Sequence, residues 1–449
     1  MSRPVDTARE VAFETLRAVD GRDAYANLVL PRALRTAGLG GRDAALATEL
    51  SYGTLRRRGT YDAVLAACVD RPFEAVDPPL RDVLRLGAHQ LLSMRVPRHA
   101  AVSTSVTLAR ARLGRGPAGL VNAVLRRVGG RDLPAWVDAV APSRADDPAG
   151  HLAVAHAHPR WIVEAFHAAL DGSWEQTEAA LAADNEPAEV VLCARPGLCP
   201  PEELGGRPGR WSPYARVVGG DPGELAAVRA ARAGVQDEGS QLVTLALAGA
   251  PLGDGVPDDA WLETCAGPGG KAALLGALAA SRDARLVAGE RRHRRARLVA
   301  GALAPLDNAV ALTADGTAGP WRDASFARVL VDAPCTGLGA LRRRPEARWR
   351  RSADDVPGLA ALQQRLLRAA LAAARPGGVV AYVTCSPHPA ETRDVVRTVV
   401  GDTQDAELLD ARSLLTGVPG PGPGPWVQLW PHRHGTDAMF LALLRRTTS

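Results

Sequence analysis

Residues 327–337 read ARVLVDAPCTG, an apolar run that ends on an acid, a proline and a cysteine. The run has the character of a buried strand closing at Asp332, with Cys335 in the turn beyond it. Residues 381–389, AYVTCSPHP, repeat the arrangement around Cys385. Both thiols therefore fall just past the carboxyl ends of strands, where an open α/β sheet delivers its chemistry. A third stretch, WLETCAGPGGK at 261–271, adds a glycine-rich turn upstream. These segments are expected to build one site.

The surrounding sequence supports that sheet. Residues 236–449 alternate short β-branched runs with helical ones, the rhythm of a mostly parallel sheet. ARLVAGE (284–290), NAVALTAD (308–315) and VVAYVTCS (379–386) read as further strands, and DAMFLALLRR (437–446) as a closing one. GVPGPGPGP (417–425) reads as a surface loop. The expected fold is multidomain, with a Rossmann-like α/β catalytic domain carrying a seven-stranded, mostly parallel sheet over 236–449.

In the turn Cys265, Ala266, Gly267, Pro268, Gly269, Gly270, Lys271, the glycines let the backbone approach a ligand between strand and helix. The spacing is not that of a P-loop, because GxxxxGK[ST] is absent and Ala272 stands where a magnesium-binding hydroxyl is needed. Glu290 closes the next strand and suits a ribose diol; Asp315 closes the one after and suits an adenine amino group. Asp332 closes the fourth. Acids on successive strand ends suit a nucleoside with a cationic tail, S-adenosylmethionine, since a pyrophosphate would be repelled.

Residues 1–135 read as an all-helical domain at roughly 3.6-residue periodicity, with a break anticipated near Gly53. Residues 131–150, with VAPSRADDPAG, read as a linker, and 150–235 as a small α+β module. Arginines cluster at Arg56, Arg57 and Arg58, at Arg126 and Arg127, and at Arg342, Arg343, Arg344, Arg348, Arg350 and Arg351. These are candidate phosphate contacts.

Net charge +5 agrees with a polyanionic partner. The 6 cysteines lack metal-ligand spacing and do not form a disulfide framework in a chain of 449 residues. No metal is expected. MSRPVDTAREVAFETL enters a helical pattern without the apolar core of a signal peptide, and no uncharged run suits a membrane span. A cytoplasmic, reducing compartment and a monomer are the expectations.

CAGPGGK, LVDAPCTGLGALRRRPEARW and YVTCSPHPAE together resemble the Nop/Sun family of RNA cytosine-5 methyltransferases. RDAALATELSYGTLRRRGTYD, LRLGAHQLL, VPRHAAVSTSV and GLVNAVLRR resemble the NusB-like RNA-binding domain of its RsmB branch, and VQDEGSQLV resembles that branch's entry to the catalytic domain. The resemblance implies methylation of C5 of a cytosine in 16S ribosomal RNA, with S-adenosylmethionine as methyl donor. It makes Cys385 the nucleophile that adds to C6, Cys335 the aid to product release, Asp332 the group that holds the cytosine edge, and Lys271 a pocket residue. Such chemistry needs a thiolate, because C5 of cytosine is too weak a nucleophile until C6 carries an adduct. The sequence departs from the family at Gly267, at Ala272 and over His388–Thr392, where the bracing of the Cys385 loop is left open. The same reaction on tRNA, or a non-catalytic ribosome assembly factor, are the alternatives; the cysteine pair argues against the second.

Overall fold

The computed structural model describes residues 5–403 and 405–447. Met1–Pro4 of the amino-terminal stretch read above lie outside the described residues. The chain divides into two compact units. One comprises the residues up to Glu186 together with Leu341–Arg350; the other comprises Pro187–Ala340 and the residues from Arg351 onward.

The first unit is all-α. Its helices are α1 (Thr7–Arg22), α2 (Ala26–Thr36), α3 (Gly41–Arg56), α4 (Arg58–Ala66), α5 (Pro78–Leu92), α6 (Arg98–Leu113) and α7 (Arg115–Val128), followed by α8 (Leu133–Val140), α9 (Pro148–Ala155), α10 (Arg160–Ala169) and α11 (Trp174–Ala183). Leu16, Leu50, Tyr61, Leu65, Leu84 and Val124 lie at its apolar centre. Beside it, Arg85 on α5 binds Asp62 through two hydrogen bonds and also donates to Asp20 and Asp82. That buried guanidinium is neutralised from three helices at once.

Two local expectations change. The helix break falls at Arg57, between α3 and α4, and not at Gly53. Gly53 is a packing device, since a Cβ there would strike the His89 ring. The stretch 131–150, expected as a linker, contains α8 and the start of α9. Asp132 and Asp147 accept from Ala135 N and Gly150 N, each 3.0 Å, with Pro134 and Pro148 in the first turns. An Asp-Pro pairing that resembles a loop is here a helix start.

The second unit begins with a small antiparallel sheet of β1 (Val190–Ala194), β2 (Arg207–Pro208), β3 (Ala215–Val218) and β4 (Ala233–Val235), in the order β2-β3-β1-β4. A short helix, α12 (Ala226–Arg229), precedes β4. Helix α13 (Glu238–Gly249) follows, and the Glu238 carboxylate accepts from the amides of Arg210, Trp211 and Ser212, binding the small sheet to it.

The main sheet contains β5 (Ala260–Glu263), β6 (Arg285–Glu290), β7 (Ala309–Thr313), β8 (Phe326–Asp332), β9 (Ala374–Thr384), β10 (Ala406–Leu409) and β12 (Phe440–Arg446), in the order β10-β12-β9-β8-β5-β6-β7. A two-residue strand, β11 (Val427–Gln428), pairs with β12. Strands β9, β8, β5, β6 and β7 run parallel, and β12 runs antiparallel to β9 and β10. Helices α14 (Gly270–Ala280), α15 (His293–Leu303), α16 (Asp355–Ala373) and α17 (Arg393–Asp402) connect the strands; a one-turn helix, α18 (Pro431–His434), precedes β12. Burial on both faces explains why β8 and β9 read as continuous apolar runs. The chain lays β5, β6 and β7 outward in one direction and then returns to the other side of β5 with β8. The crevice at that reversal, beyond the carboxyl ends of β5 and β8, is where such sheets bind ligands.

Candidate functional site

Strands β8 and β9 are parallel neighbours, with Asp332 opposite Val383. The pairing continues past the strand ends. Ala333 N donates to Val383 O at 2.9 Å, and Gly339 N to Cys385 O at 2.8 Å. This register carries both cysteine loops off the same sheet edge, and the Sγ atoms of Cys335 and Cys385 lie 3.5 Å apart. Both are free thiols.

The two thiols are unequal. The hydrogen bond from Cys335 stabilises a Cys385 thiolate and pulls its pKa below the ordinary thiol value, with Lys271 adding attraction against the cost of burial. The same bond, together with burial, pushes the Cys335 thiol well up. The contact thus favours the proton on Cys335 and thiolate character on Cys385. Spacing in the sequence does not rank them; the family resemblance does, in the same order.

Lys271, at the start of α14, places its Nζ 2.8 Å from Asp332 Oδ2, bridging the carboxyl ends of β5 and β8. Beneath them lies Glu263, the last residue of β5. It is fully buried, and neither carboxyl oxygen has a hydrogen-bond partner among the described residues. Burial, reinforced by the charge of Asp332, pushes its pKa up to about 8. Sequence reading missed Glu263; the available signal was an acid at the end of an otherwise apolar strand, directly before the glycine turn.

The glycine turn is shaped for close approach. Gly269 has φ +113°, and a Cβ there would come 2.7 Å from Ala302 Cβ and 3.2 Å from Val299 Cα, so only glycine lets α14 and α15 pack at this spacing. Gly267 faces Glu290, and a Cβ would collide with Glu290 Oε2. Glu290 is buried at the end of β6, accepts from Arg292 N at 2.8 Å and pairs with Arg295 at 3.4 Å. Arg295 also donates to Gly267 O, joining this acid to the turn. Asp315 lies two residues beyond β7, exposed, and its Oδ1 accepts from Thr317 N and Oγ1. A glycine cradle, an orphaned buried carboxyl and acids on successive strand ends fit the nucleoside and amino-acid ends of S-adenosylmethionine.

Both cysteine loops share one brace. The Glu391 carboxylate is fully buried and accepts from Thr336 N at 2.8 Å, Thr336 Oγ1 and Ser386 Oγ at 2.6 Å. Gln363 donates to it at 3.3 Å and to Pro334 O at 2.8 Å. Thr336 follows Cys335 and Ser386 follows Cys385, so one carboxylate ties together the residues next to both thiols. This answers how the departing sequence after Cys385 is held.

The arginine clusters divide. Arg348, expected to face RNA, is fully buried in the first unit. It donates to the carbonyls of Arg56, Ala157 and Asp184 and to Asn185 Oδ1. Its guanidinium closes a set of carbonyl acceptors and has no face for phosphate. Arg342 is also buried. Arg343 is half-buried, while Arg344 is exposed with its guanidinium 5.5 Å from the Tyr25 ring centroid; Arg350 packs on the same ring at 4.9 Å. Arg56 packs over Tyr52, Arg57 donates to Ala155 O, and Arg58 pairs with Asp20. Arg127 reaches Cys68 O and Asp70, whereas Arg126 lies on an open groove. Among the described residues no cluster of metal-ligating side chains occurs, and no helix is long and apolar enough to cross a membrane.

Comparison with known proteins places the chain among related sequences and folds. Residues 252–445 match the model of the 16S rRNA methyltransferase RsmB/F family, and residues 6–129 match the NusB family. A Mycobacterium tuberculosis protein named as a methyltransferase is 55% identical, covering 99% of this chain and 98% of its own length. The ribosomal RNA small subunit methyltransferase B of Pseudomonas putida is 33% identical over 90% of this chain and 91% of its own. Among solved structures, NSun6 from Pyrococcus horikoshii, determined with sinefungin, superposes with TM-score 0.54 at 18% identity, covering 65% of this chain and 99% of that one.

Proposed function

Because the chain belongs to the RsmB/F family of ribosomal RNA methyltransferases, with a NusB-family region at its amino end, we propose that it methylates C5 of a cytosine in 16S ribosomal RNA through a transient bond between Cys385 and C6. The observation that carries the reading is the 3.5 Å approach of the two thiols beside the Lys271–Asp332 pair.

The Cys265–Lys271 turn, with Glu263, Glu290 and Asp315, would hold S-adenosylmethionine, which when bound would supply an electrophilic methyl group. The chain's own residues do the rest. The Cys385 thiolate adds to C6, and the C5–C6 π electrons move to C5, which becomes nucleophilic. Asp332 accepts from the cytosine 4-amino group beside N3 and holds the ring over the thiol. Lys271 pairs with Asp332 and favours the thiolate. Bonding of Cys385 to C6 removes the thiolate that held the proton on Cys335, so Cys335 can release that proton to water and, as a thiolate, take the remaining C5 proton once C5 carries the methyl group. The electron pair re-forms the C5–C6 double bond, and Cys385 leaves as the thiolate. The target base has to be unstacked to reach the pocket. The reading takes the enzyme as a monomer in a reducing cytoplasm, where Cys385 stays free.

Bisulfite sequencing of RNA from cells with and without the gene tests reaction and target together. A cytosine of 16S ribosomal RNA should be protected only when the gene is present. Protection confined to tRNA, or none at all, would sink the reading.

A further inference from the structure

The turns that carry Cys335 and Cys385 are fastened to each other on both sides of the thiols. Ala333 N donates to Val383 O, and Gly339 N to Cys385 O. Between these bonds Thr336 Oγ1 lies 3.2 Å from Ser386 Oγ, and both hydroxyls donate to the buried Glu391 carboxylate. A Cβ on Gly339 would strike Ala438 O and come 2.9 Å from Cys385 O, so the crossing point admits only glycine. The two sulfurs are thereby held 3.5 Å apart, free and partly exposed. A disulfide places its sulfurs about 2.0 Å apart, which leaves roughly 1.5 Å to close, a shift that side chains on turns can make.

The other cysteines differ. Cys68, Cys193 and Cys199 are buried, and burial pushes each of those thiols up. Cys265, in the glycine turn, is pushed up to about 12 by burial. An electrophile that reaches the protein therefore meets thiolate character at Cys385, with a protonated thiol beside it. That is the arrangement of an attacking and a resolving cysteine.

We propose that the Cys335–Cys385 pair is an oxidation site at which a hydroperoxide converts the two thiols into an intramolecular disulfide, withdrawing the nucleophile reversibly. The Cys385 thiolate attacks one peroxide oxygen, the O–O bond breaks, and the departing oxygen anion takes a proton from solvent. Cys385 is then a sulfenic acid, its sulfur oxidised by two electrons and the peroxide reduced by the same two. Cys335 attacks that sulfur as it gives up its proton. The S–S bond forms, the S–O bond breaks, and the hydroxide leaves with that proton as water. Without Cys335 the sulfenic acid would meet more peroxide and pass to sulfinic acid, which thiols do not reverse. The effect on methyl transfer rests on the function proposed above, whereas bond formation rests on the contact between the thiols.

The test uses the full-length protein, reduced and then freed of reductant. It is exposed to a small excess of hydrogen peroxide, blocked with N-ethylmaleimide and digested without reduction. Mass spectrometry should find the Cys335 and Cys385 peptides joined, lighter by two hydrogen atoms than the separate thiol peptides. Methyl transfer to 16S ribosomal RNA should be lost in step with the joined peptide and return with dithiothreitol. Cys335→Ser should instead carry sulfinic acid on Cys385 at the same peroxide dose, unchanged by dithiothreitol, while Cys199→Ser should form the disulfide as the parent does. Sulfinic acid on Cys385 beside an intact Cys335 thiol in the parent, joining of either residue to another cysteine, or both thiols still open to alkylation after peroxide would each overturn the site. If the disulfide forms and breaks as stated but the reduced protein methylates no RNA, the methyltransferase reading fails and the oxidation site stands.

Discussion

Cys335 Sγ lies 3.5 Å from Cys385 Sγ, within hydrogen-bond reach, and this contact favours thiolate character on Cys385. Replacing Cys335 by Ala removes the donor that lowers the Cys385 pKa. Alkylation of Cys385 by iodoacetamide, followed against pH, should therefore shift to higher pH in Cys335→Ala. The same variant should accumulate a covalent protein–RNA species on denaturing gels, since the base for product release is gone. Cys385→Ala should form neither adduct nor product, and residual methylation by it would refute the assignment.

Glu391 supplies the second prediction. Its carboxylate accepts from the residues that follow Cys335 and Cys385. Glu391→Ala leaves buried donors on Thr336 and Ser386 unsatisfied, a loss of about 3 kcal/mol in stability. Glu391→Gln keeps the shape and one acceptor, so it should fold nearly as well while kcat falls about tenfold and KM for RNA changes little. Misplaced thiols slow the chemistry without altering RNA contacts. A Gln variant with parental kcat would remove the brace from the mechanism.

The parts of the site carried by local pattern are legible in the sequence itself. Strands β8 and β9 are buried on both faces, so their apolar runs and the cysteines beyond them stand out in one dimension. The groups that were not found depend on long-range burial. Glu263 looks like one polar residue in a short strand, and only its packing under Lys271 and Asp332 makes it an unpaired acid. Arg348 lies in a run that resembles solvated charge. Its acceptors come from Arg56, Ala157, Asp184 and Asn185, far away in sequence. The helices α8 and α9 are hidden for a different reason, because Asp with Pro one or two residues on serves both turns and helix starts.

Arg348 leads to a third prediction, in stability and not in affinity. Burial pulls its pKa down to about 10, so it remains charged at neutral pH and depends on its acceptors. Arg348→Ala should cost about 3 kcal/mol or more in chemical denaturation by leaving buried carbonyls unpaired. Arg344→Ala, at an exposed position in the same segment, should cost far less. If Arg348→Ala instead keeps full stability and loses RNA affinity, the residue is a phosphate contact after all.

Glu263 makes stability depend on pH in an unusual direction for an acid. An ordinary glutamate titrates near 4.5, and burial raises this one to about 8 in the folded chain. Below 4.5 both states hold the proton and the group contributes no pH dependence. Between 4.5 and about 8 the unfolded chain has released it while the folded chain keeps it. Folding stability should therefore fall as pH rises through that window, by up to about 1.4 kcal/mol per unit, and level off above it. Glu263→Gln stays neutral in both states and has nearly the same shape, so it should remove this slope. Denaturant melts of the ligand-free parent and variant at several pH values measure the difference. The variant should gain relative stability steadily from pH 5 to 8. Parallel stability curves would mean that Glu263 is ionised in the folded protein and has found a partner for its charge.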